Sequence, residues 1–210
     1  MRGVSIQRSA RAIAAYANGK VLKLQSGYLA GLSSSRASLA RLRRLGTSRD
    51  TSWMSIGDDL FEGFPELSPY EEEKGLSSVK AALRYYAMLQ QSKSMPVAVL
   101  QKDAKRNVSF GSACRAISLE KNGSGAPGVR RRMAMVEAAS DFDGVQTAMR
   151  ALVQLMKASK SVIQLDFGRL ASDLFQIQFD ETRSAVFMRW AQDYYRAADG
   201  NKEATKDEDE

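Results

Sequence analysis

Histidine is absent from this 210-residue chain, and Cys114 is its single cysteine. Without histidine the chain cannot build a Ser-His-Asp or Cys-His catalytic group, a His-ligated zinc site or the usual general base near neutral pH. One cysteine forms neither a disulfide framework nor a thiolate zinc cluster, which favours a reducing compartment. No apolar run approaches the ~20 residues that a membrane-spanning helix needs. We therefore expect a cytoplasmic, non-enzymatic protein without metal ions, cofactors, a membrane partner or a small-molecule substrate.

Acidic side chains are missing from the first forty-nine residues, which carry ten Lys or Arg; the first carboxylate is Asp50. A soluble helix normally mixes both signs, because opposite charges four residues apart stabilise it and like charges destabilise it. A segment without any such pair is suited to a negative partner. Nucleic acid is the leading candidate, an anionic membrane the second and an organelle import machinery the third.

The charge is divided unevenly along the whole chain. Of the formal net +7, residues 1–198 carry +11 and residues 199–210 carry −4. A basic body with a short acidic end is typical of a polyanion-binding protein with a disordered tail. The Gly- and Ser-rich segment 122–128 is the best candidate for a boundary. The sequence therefore predicts four parts: a basic lead with helical spacing (1–24), an N-terminal helical subdomain (25–121), a C-terminal helical bundle (122–197) and an acidic tail (198–210).

Apolar residues recur at helical spacing almost throughout, which predicts an all-α fold of two small helical subdomains. Ser68 followed by Pro69 and Glu71 predicts a helix start, because these residues suit the cap, the first helical position and a capping box. Asp143 and Asp166 lie where the N-caps of two later helices belong. Segment 97–100 could pass for a strand, but it has no evident partner. Helices are expected at 6–31, 36–45, 52–61, 69–91, 109–119, 129–139, 143–158, 166–177 and 181–197.

Three basic clusters are the candidate nucleic-acid-binding residues: Arg41, Arg43 and Arg44; Lys102, Lys105 and Arg106; and Arg130, Arg131 and Arg132. In the first cluster, Leu39, Leu42 and Leu45 can face the core while arginines project outward. In the third, the arginines open a helix, where positive charge opposes the helix dipole. Free N–H groups and guanidinium groups at such a position can together hold a phosphate. The alternative for each cluster is an ordinary solvated face.

Other patterns indicate less. Asp141 and Asp143 resemble a metal-binding pair, but Asp143 is explained as a helix cap and no third carboxylate is obviously near. Trp190 and Tyr194 could stack on bases, yet both lie on an apolar stripe and are expected in the core. No set of residues makes a convincing active site.

The chain resembles the CasB family, the small subunit of the type I-E CRISPR surveillance complex Cascade. The similarity extends over roughly residues 25–197. Each motif alone is weak, but their order and spacing together are fairly specific. The motifs are Leu39-Ala40-Arg41-Leu42-Arg43-Arg44; Ser109-Phe110-Gly111 with Ala116-Ile117; Val129 with Arg131-Arg132; Leu152-Val153 with Leu155; Asp166-Phe167 with Leu170-Ala171 and Asp173-Leu174; Arg189-Trp190-Ala191; and Asp193-Tyr194-Tyr195.

The resemblance implies an all-helical, two-part subunit without enzymatic activity. Two copies would lie head to tail along the complex, in contact with the large subunit and with the backbone subunits that hold the guide RNA. They would stabilise the target DNA and the displaced strand of the R-loop. By the same resemblance, Arg43-Arg44, the loop 102–106 and Arg131-Arg132 would face nucleic acid.

The sequence departs from the family pattern in two places, and two other functions remain open. Tyr86-Ala87-Met88-Leu89 lacks a histidine that is frequent in the family, and the tryptophan common near Ile177-Gln178 is missing. These differences affect packing more than nucleic-acid binding. One alternative is a free-standing helical nucleic-acid-binding accessory protein. The other is an organelle-targeted helical scaffold whose basic start is removed.

Overall fold

A computed structural model describes residues 2–45, 56–57, 60–122 and 127–196. Every structural statement below concerns these residues, and the acidic tail lies outside them. Among them no strand is formed, which confirms the all-α prediction. The helices with described bounds are α1 (Arg2–Leu29), α2 (Ser33–Arg44), α3 (Pro69–Gln90), α4 (Phe110–Asn122), α5 (Pro127–Ala138), α6 (Phe142–Lys157), α7 (Phe167–Gln176) and α8 (Asp180–Tyr195).

Two of the predicted helix starts are confirmed and one is wrong. Pro69 opens α3 after Ser68, but the predicted capping box is not formed: the Ser68 side chain accepts from no backbone amide, and its hydroxyl donates to the Glu71 carboxylate at 2.8 Å. The Asp166 carboxylate caps α7 by accepting from the Arg169 amide at 2.8 Å. Helix α6, however, is capped by Asp141, which accepts from the Gly144 amide at 2.7 Å. Asp143 instead lies in the first turn. The helix begins at Phe142, and the residue before it is the one whose side chain can accept from the amide three residues on, that of Gly144.

Helix α7 is the central element of the packing. It contacts α1, α3 and α8, while α4 packs on α8 and α5 on α6. The predicted stripe of Phe167, Leu170, Leu174 and Ile177 is buried. Helix α1 continues through the expected boundary between residues 24 and 25, and its contact with α7 joins the start of the chain to the C-terminal half. The division into two subdomains stays a prediction.

Segment 97–100 has a partner, contrary to the prediction from sequence. Ala98 and Leu165 form an isolated parallel bridge, with the Leu165 amide donating to the Val97 carbonyl at 2.9 Å. The Gln25 side chain completes the pairing: it accepts from the Ala98 amide at 2.8 Å and donates to the Ala98 carbonyl at 3.0 Å. A side-chain amide thus satisfies backbone groups that a second strand would otherwise pair. The bridge and Gln25 fix the segment that leads into the basic loop 102–106.

Asp173 is a buried carboxylate that ties α7 to α8, and we expect its removal to destabilise the fold. It accepts from the Trp190 indole at 2.7 Å and from Arg189 at 2.9 Å. Burial raises the pKa of Asp173, and the two hydrogen bonds oppose that shift. The desolvation of the carboxylate therefore offsets part of the stability that the two hydrogen bonds contribute.

Asp173→Ala would leave the indole N–H unpaired and lower the free energy of unfolding by about 2 kcal/mol. Urea denaturation measures this change. The exposed Glu137→Ala serves as control, and equal midpoints for the two variants would contradict the expectation.

Candidate nucleic-acid interface

The predicted basic loop is anchored to the start of α7. A short 3₁₀ turn spans Gln101–Asp103. The Gln101 amide donates to the Asp166 cap at 2.9 Å, and the Gln101 side chain accepts from the Val108 amide at 3.0 Å. Its side-chain amide also donates to the Arg106 carbonyl at 3.2 Å. One glutamine therefore closes the loop on itself while Lys102, Lys105 and Arg106 stay exposed.

Lys105 and Arg106 line an open cleft of about 780 Å³ between this loop, α4, α7 and the end of α8. Its lining contains five cationic side chains and a single carboxylate, Asp193. With five cations against one carboxylate, the cleft is a positive concavity that suits a polyanion. The cations are Lys105, Arg106, Arg115, Arg169 and Arg196.

Hydrogen bonds hold two of the cleft arginines, Arg115 and Arg169, in place. Arg169 forms an ion pair with Asp193 at 2.8 Å and also donates to the Asn107 side chain at 3.1 Å. Asn107 in turn donates to Asp193 at 2.7 Å. Arg115 donates to the Tyr194 carbonyl at 3.0 Å, at the negative end of the α8 dipole. Asp193 is buried, with 7% of its surface exposed, and it is surrounded by these donors. Its single negative charge is set against five cations, so the cleft keeps a net positive charge.

The first predicted cluster lies on α2 and has the predicted orientation. Leu39, Leu42 and Leu45 are buried. Arg41 and Arg44 are exposed and Arg43 is half-buried. The Arg41 guanidinium donates to the Ser38 hydroxyl at 2.9 Å.

The third predicted cluster lies on α5, whose first residue is Pro127 rather than Val129. All three arginines are exposed, and they occupy the end of the first turn and the start of the second. The Arg132 guanidinium donates to the Gly128 carbonyl at 3.0 Å. Arg130 lines a separate groove between α5 and α8, beside Trp190 and Tyr194. The earlier start moves the cluster away from the free N–H groups, so the helix end contributes less to anion binding than expected.

Chemistry other than electrostatics has little support within the described parts of the chain. No group of three His, Cys, Asp or Glu side chains is placed there to hold a metal ion. Cys114 is fully buried, and burial raises the pKa of its thiol, so the reactive thiolate is disfavoured. Trp190 and Tyr194 are core residues, as predicted. The described helices include none with the length and apolar character to cross a membrane.

Residues 36–195 match the family model of the CRISPR-associated protein Cse2. The chain belongs to the Cse2 family. A solved structure, the crystal structure of CasB from Thermobifida fusca, matches with a TM-score of 0.71 and 25% sequence identity. The match covers 88% of this chain and 98% of that chain. In the comparison with curated proteins, no protein matches the present chain.

Cse2 membership makes the chain a CRISPR Cascade small subunit that associates with other Cascade components. The family match begins within α2 and ends with α8. It therefore includes all three predicted basic clusters and every cation of the cleft except Arg196, whereas α1, with its acid-free sequence, precedes it. The resemblance inferred from short motifs is confirmed at the level of the family.

Three cations of the Cse2 cleft were not among the predicted site residues. Arg115, Arg169 and Arg196 come from α4, from α7 and from the residue after α8. Each is isolated among apolar or mixed neighbours in the sequence, so no local run of charge indicates it. Tertiary packing brings them to Lys105 and Arg106. Lys102 is exposed on the same loop but does not line the cleft.

Proposed function

We propose that this Cse2-family subunit binds nucleic-acid backbone through its basic cleft and its exposed Lys and Arg clusters. As part of Cascade in the cytoplasm, it would stabilise the R-loop formed by guide RNA and target DNA, together with the displaced strand, without catalysing a reaction. Its partners would be the large subunit, the backbone subunits and a second copy of itself. The observation that carries the proposal is the cleft, where five cations from four parts of the chain surround one carboxylate.

The cleft chemistry suits a backbone rather than a base sequence. Guanidinium and ammonium groups bind phosphate oxygens, which are the same in every sequence. In RNA-guided complexes the sequence is read by base pairing, so a subunit that binds without sequence preference is sufficient. Counterion release would make this binding strongly dependent on salt.

Co-purification from source cells tests the assembly. We expect tagged chain to retain several larger proteins and a uniform class of repeat-spacer RNA, because a Cascade subunit is held by protein contacts as well as by charge. Bound RNA is sequenced and bound proteins are identified by mass spectrometry. A chain carrying Lys102→Gln, Lys105→Gln and Arg106→Gln should retain the same proteins, which separates assembly from backbone binding. Recovery of heterogeneous nucleic acid, or of the chain alone, would favour the free-standing binding protein.

A further inference from the structure

The basic cleft and the acidic segment 199–210 are joined through Arg196. This residue lines the cleft, and its side chain is exposed. Its backbone is extended rather than helical, with φ −62° and ψ 125°, so α8 ends immediately before it. The first acidic residue of the segment, Asp199, follows three positions later. The chain therefore leaves α8 at the edge of the cleft and continues into the acidic segment.

The cleft carries more positive charge than the described residues neutralise. Arg169 and Arg196 share one carboxylate, that of Asp193, with nitrogen–oxygen distances of 2.8 and 3.8 Å. The other three cations of the cleft form no ion pair within the described part of the chain. Five cations and one carboxylate leave the cleft with a net charge of +4.

The acidic segment carries the complementary charge. It contains six carboxylate and two ammonium side chains, which give it a net charge of −4. Four of the carboxylates are consecutive, from Asp207 to Glu210. Carboxylates accept charge-assisted hydrogen bonds from guanidinium and ammonium groups, as phosphates do. The run 207–210 therefore offers the cleft the same kind of contact as a short piece of nucleic-acid backbone.

The covalent connection through Arg196 allows weak ion pairs to hold the segment. An exposed ion pair contributes little by itself, but a short tether brings the two partners together at an effective concentration in the millimolar range. The eleven residues from Arg196 to Asp207 span at most about 36–40 Å. A folded domain of this length has a radius of gyration of about 17 Å, so the tether is long enough to reach every cation of the cleft.

The groove between α5 and α8 is the other concave surface near the end of α8, and it is less suited to the segment. Its charged lining consists of one cation, Arg130, and one carboxylate, Glu137. The two charges cancel, so this groove offers no net attraction to carboxylates. The cleft is therefore the site near the tether that favours the acidic segment.

We propose that residues 199–210 bind in the basic cleft of their own chain, so that a nucleic-acid strand must displace them to enter it. The segment then acts as a competitive inhibitor that is part of the subunit. Short or weakly held nucleic acid is kept out, whereas a longer strand that also contacts the other basic clusters displaces the segment. The competition rests on the proposed function; the docking of the segment does not.

Docking is tested on the full chain, without nucleic acid, by carbodiimide crosslinking, which joins a carboxylate to a neighbouring lysine. At low salt, Lys105 should crosslink to residues 207–210. The variant R106Q/R196Q should lower the yield of this crosslink by about threefold or more, because it removes two ion-pair partners and leaves Lys105 and the tether in place. The control R130Q/R131Q removes the same charge from exposed positions on α5 and should keep the yield.

A mixture of isotope-labelled and unlabelled chains identifies which cleft the segment occupies. Docking within one chain gives crosslinks between peptides of the same label, whereas docking between chains joins labelled to unlabelled peptides. A majority of mixed crosslinks would overturn docking in the same chain. So would an unchanged yield in R106Q/R196Q, or an equal loss in R130Q/R131Q.

The competition is tested by fluorescence anisotropy with a labelled fifteen-nucleotide oligothymidylate. The variant D207N/E208Q/D209N/E210Q should bind it about tenfold more tightly than the native chain at 0.1 M salt, because the cleft is no longer occupied. The advantage should shrink as salt rises, because screening releases the segment from the native cleft as well.

A control for this experiment removes the same charge elsewhere. E72Q/E73Q/E137Q/E181Q replaces exposed carboxylates that do not line the cleft, and it should gain about threefold at most because distant charges are screened. Equal gains in the two variants would overturn the competition. If the Lys105 crosslink forms but neither the native chain nor the 207–210 variant binds the oligonucleotide, the proposed function and the competition are contradicted while the docking stands.

Discussion

Replacing Lys102, Lys105 and Arg106 by glutamate should weaken binding of single-stranded DNA by roughly two to three powers of ten at 0.1 M salt. Each lost phosphate contact removes about 0.7 from the slope of log K against log salt for a single strand, and each new carboxylate adds repulsion. All three side chains are exposed on the anchored loop, and of these residues only the Arg106 backbone carbonyl takes part in the hydrogen bonds that anchor the loop. The fold should therefore survive the change. Anisotropy titrations at several salt concentrations measure affinity and slope together.

A matched charge reversal on α1 distinguishes the contribution of the basic loop 102–106 to DNA affinity from the effect of the protein's net charge. Arg8, Arg11 and Lys23 are exposed, precede the family match and undergo the same change in net charge when replaced by glutamate. We expect the α1 variant to lose about tenfold at most, because long-range repulsion is screened within about 10 Å at 0.1 M salt. Equal losses in the two variants would mean that net charge, rather than the loop, determines binding.

The sequence was sufficient to predict the helices with described bounds because apolar residues recur in them at helical spacing, whereas the helix predicted at 52–61 lies largely outside the described residues. The stripe on α7 and the arrangement of leucines and arginines on α2 follow from periodicity alone. The contiguous basic runs were visible for the same reason: neighbouring residues make a local signal. The cleft is different. Arg115, Arg169 and Arg196 join Lys105 and Arg106 only after α4, α7 and α8 have packed.

The errors in the prediction have identifiable physical causes. The bridge between Ala98 and Leu165 depends on Gln25, which lies far away in the sequence and pairs through its side chain. Periodicity carries no information about such a contact. At α6, Asp141 and Asp143 are both suitable N-cap residues by type. The sequence pattern did not fix the helix start to within two residues, and that difference selects Asp141 as the cap.

The docking of α1 on α7 depends on one glycine. Gly168 is buried in the first turn of α7, where its amide donates to the Asn18 side chain at 2.8 Å. The same side chain donates to the Asp166 cap at 3.2 Å. A Cβ at position 168 would overlap the Asn18 side chain and the Ala14 carbonyl. The backbones of the two helices therefore approach each other at a distance that only glycine permits.

Gly168→Ala should lower the free energy of unfolding by about 3 kcal/mol, because the added methyl forces α1 away from α7 and breaks the Asn18 bonds. The same chemical change at Gly19 should have the opposite sign. Gly19 is exposed in the interior of α1 with no atom within 4 Å of an added Cβ, so alanine there should raise the free energy of unfolding by about 0.5–1 kcal/mol through helix propensity. Urea denaturation of both variants measures the two changes. Since both replace glycine by alanine within a helix, equal effects would show that backbone entropy rather than the close approach determines stability at position 168.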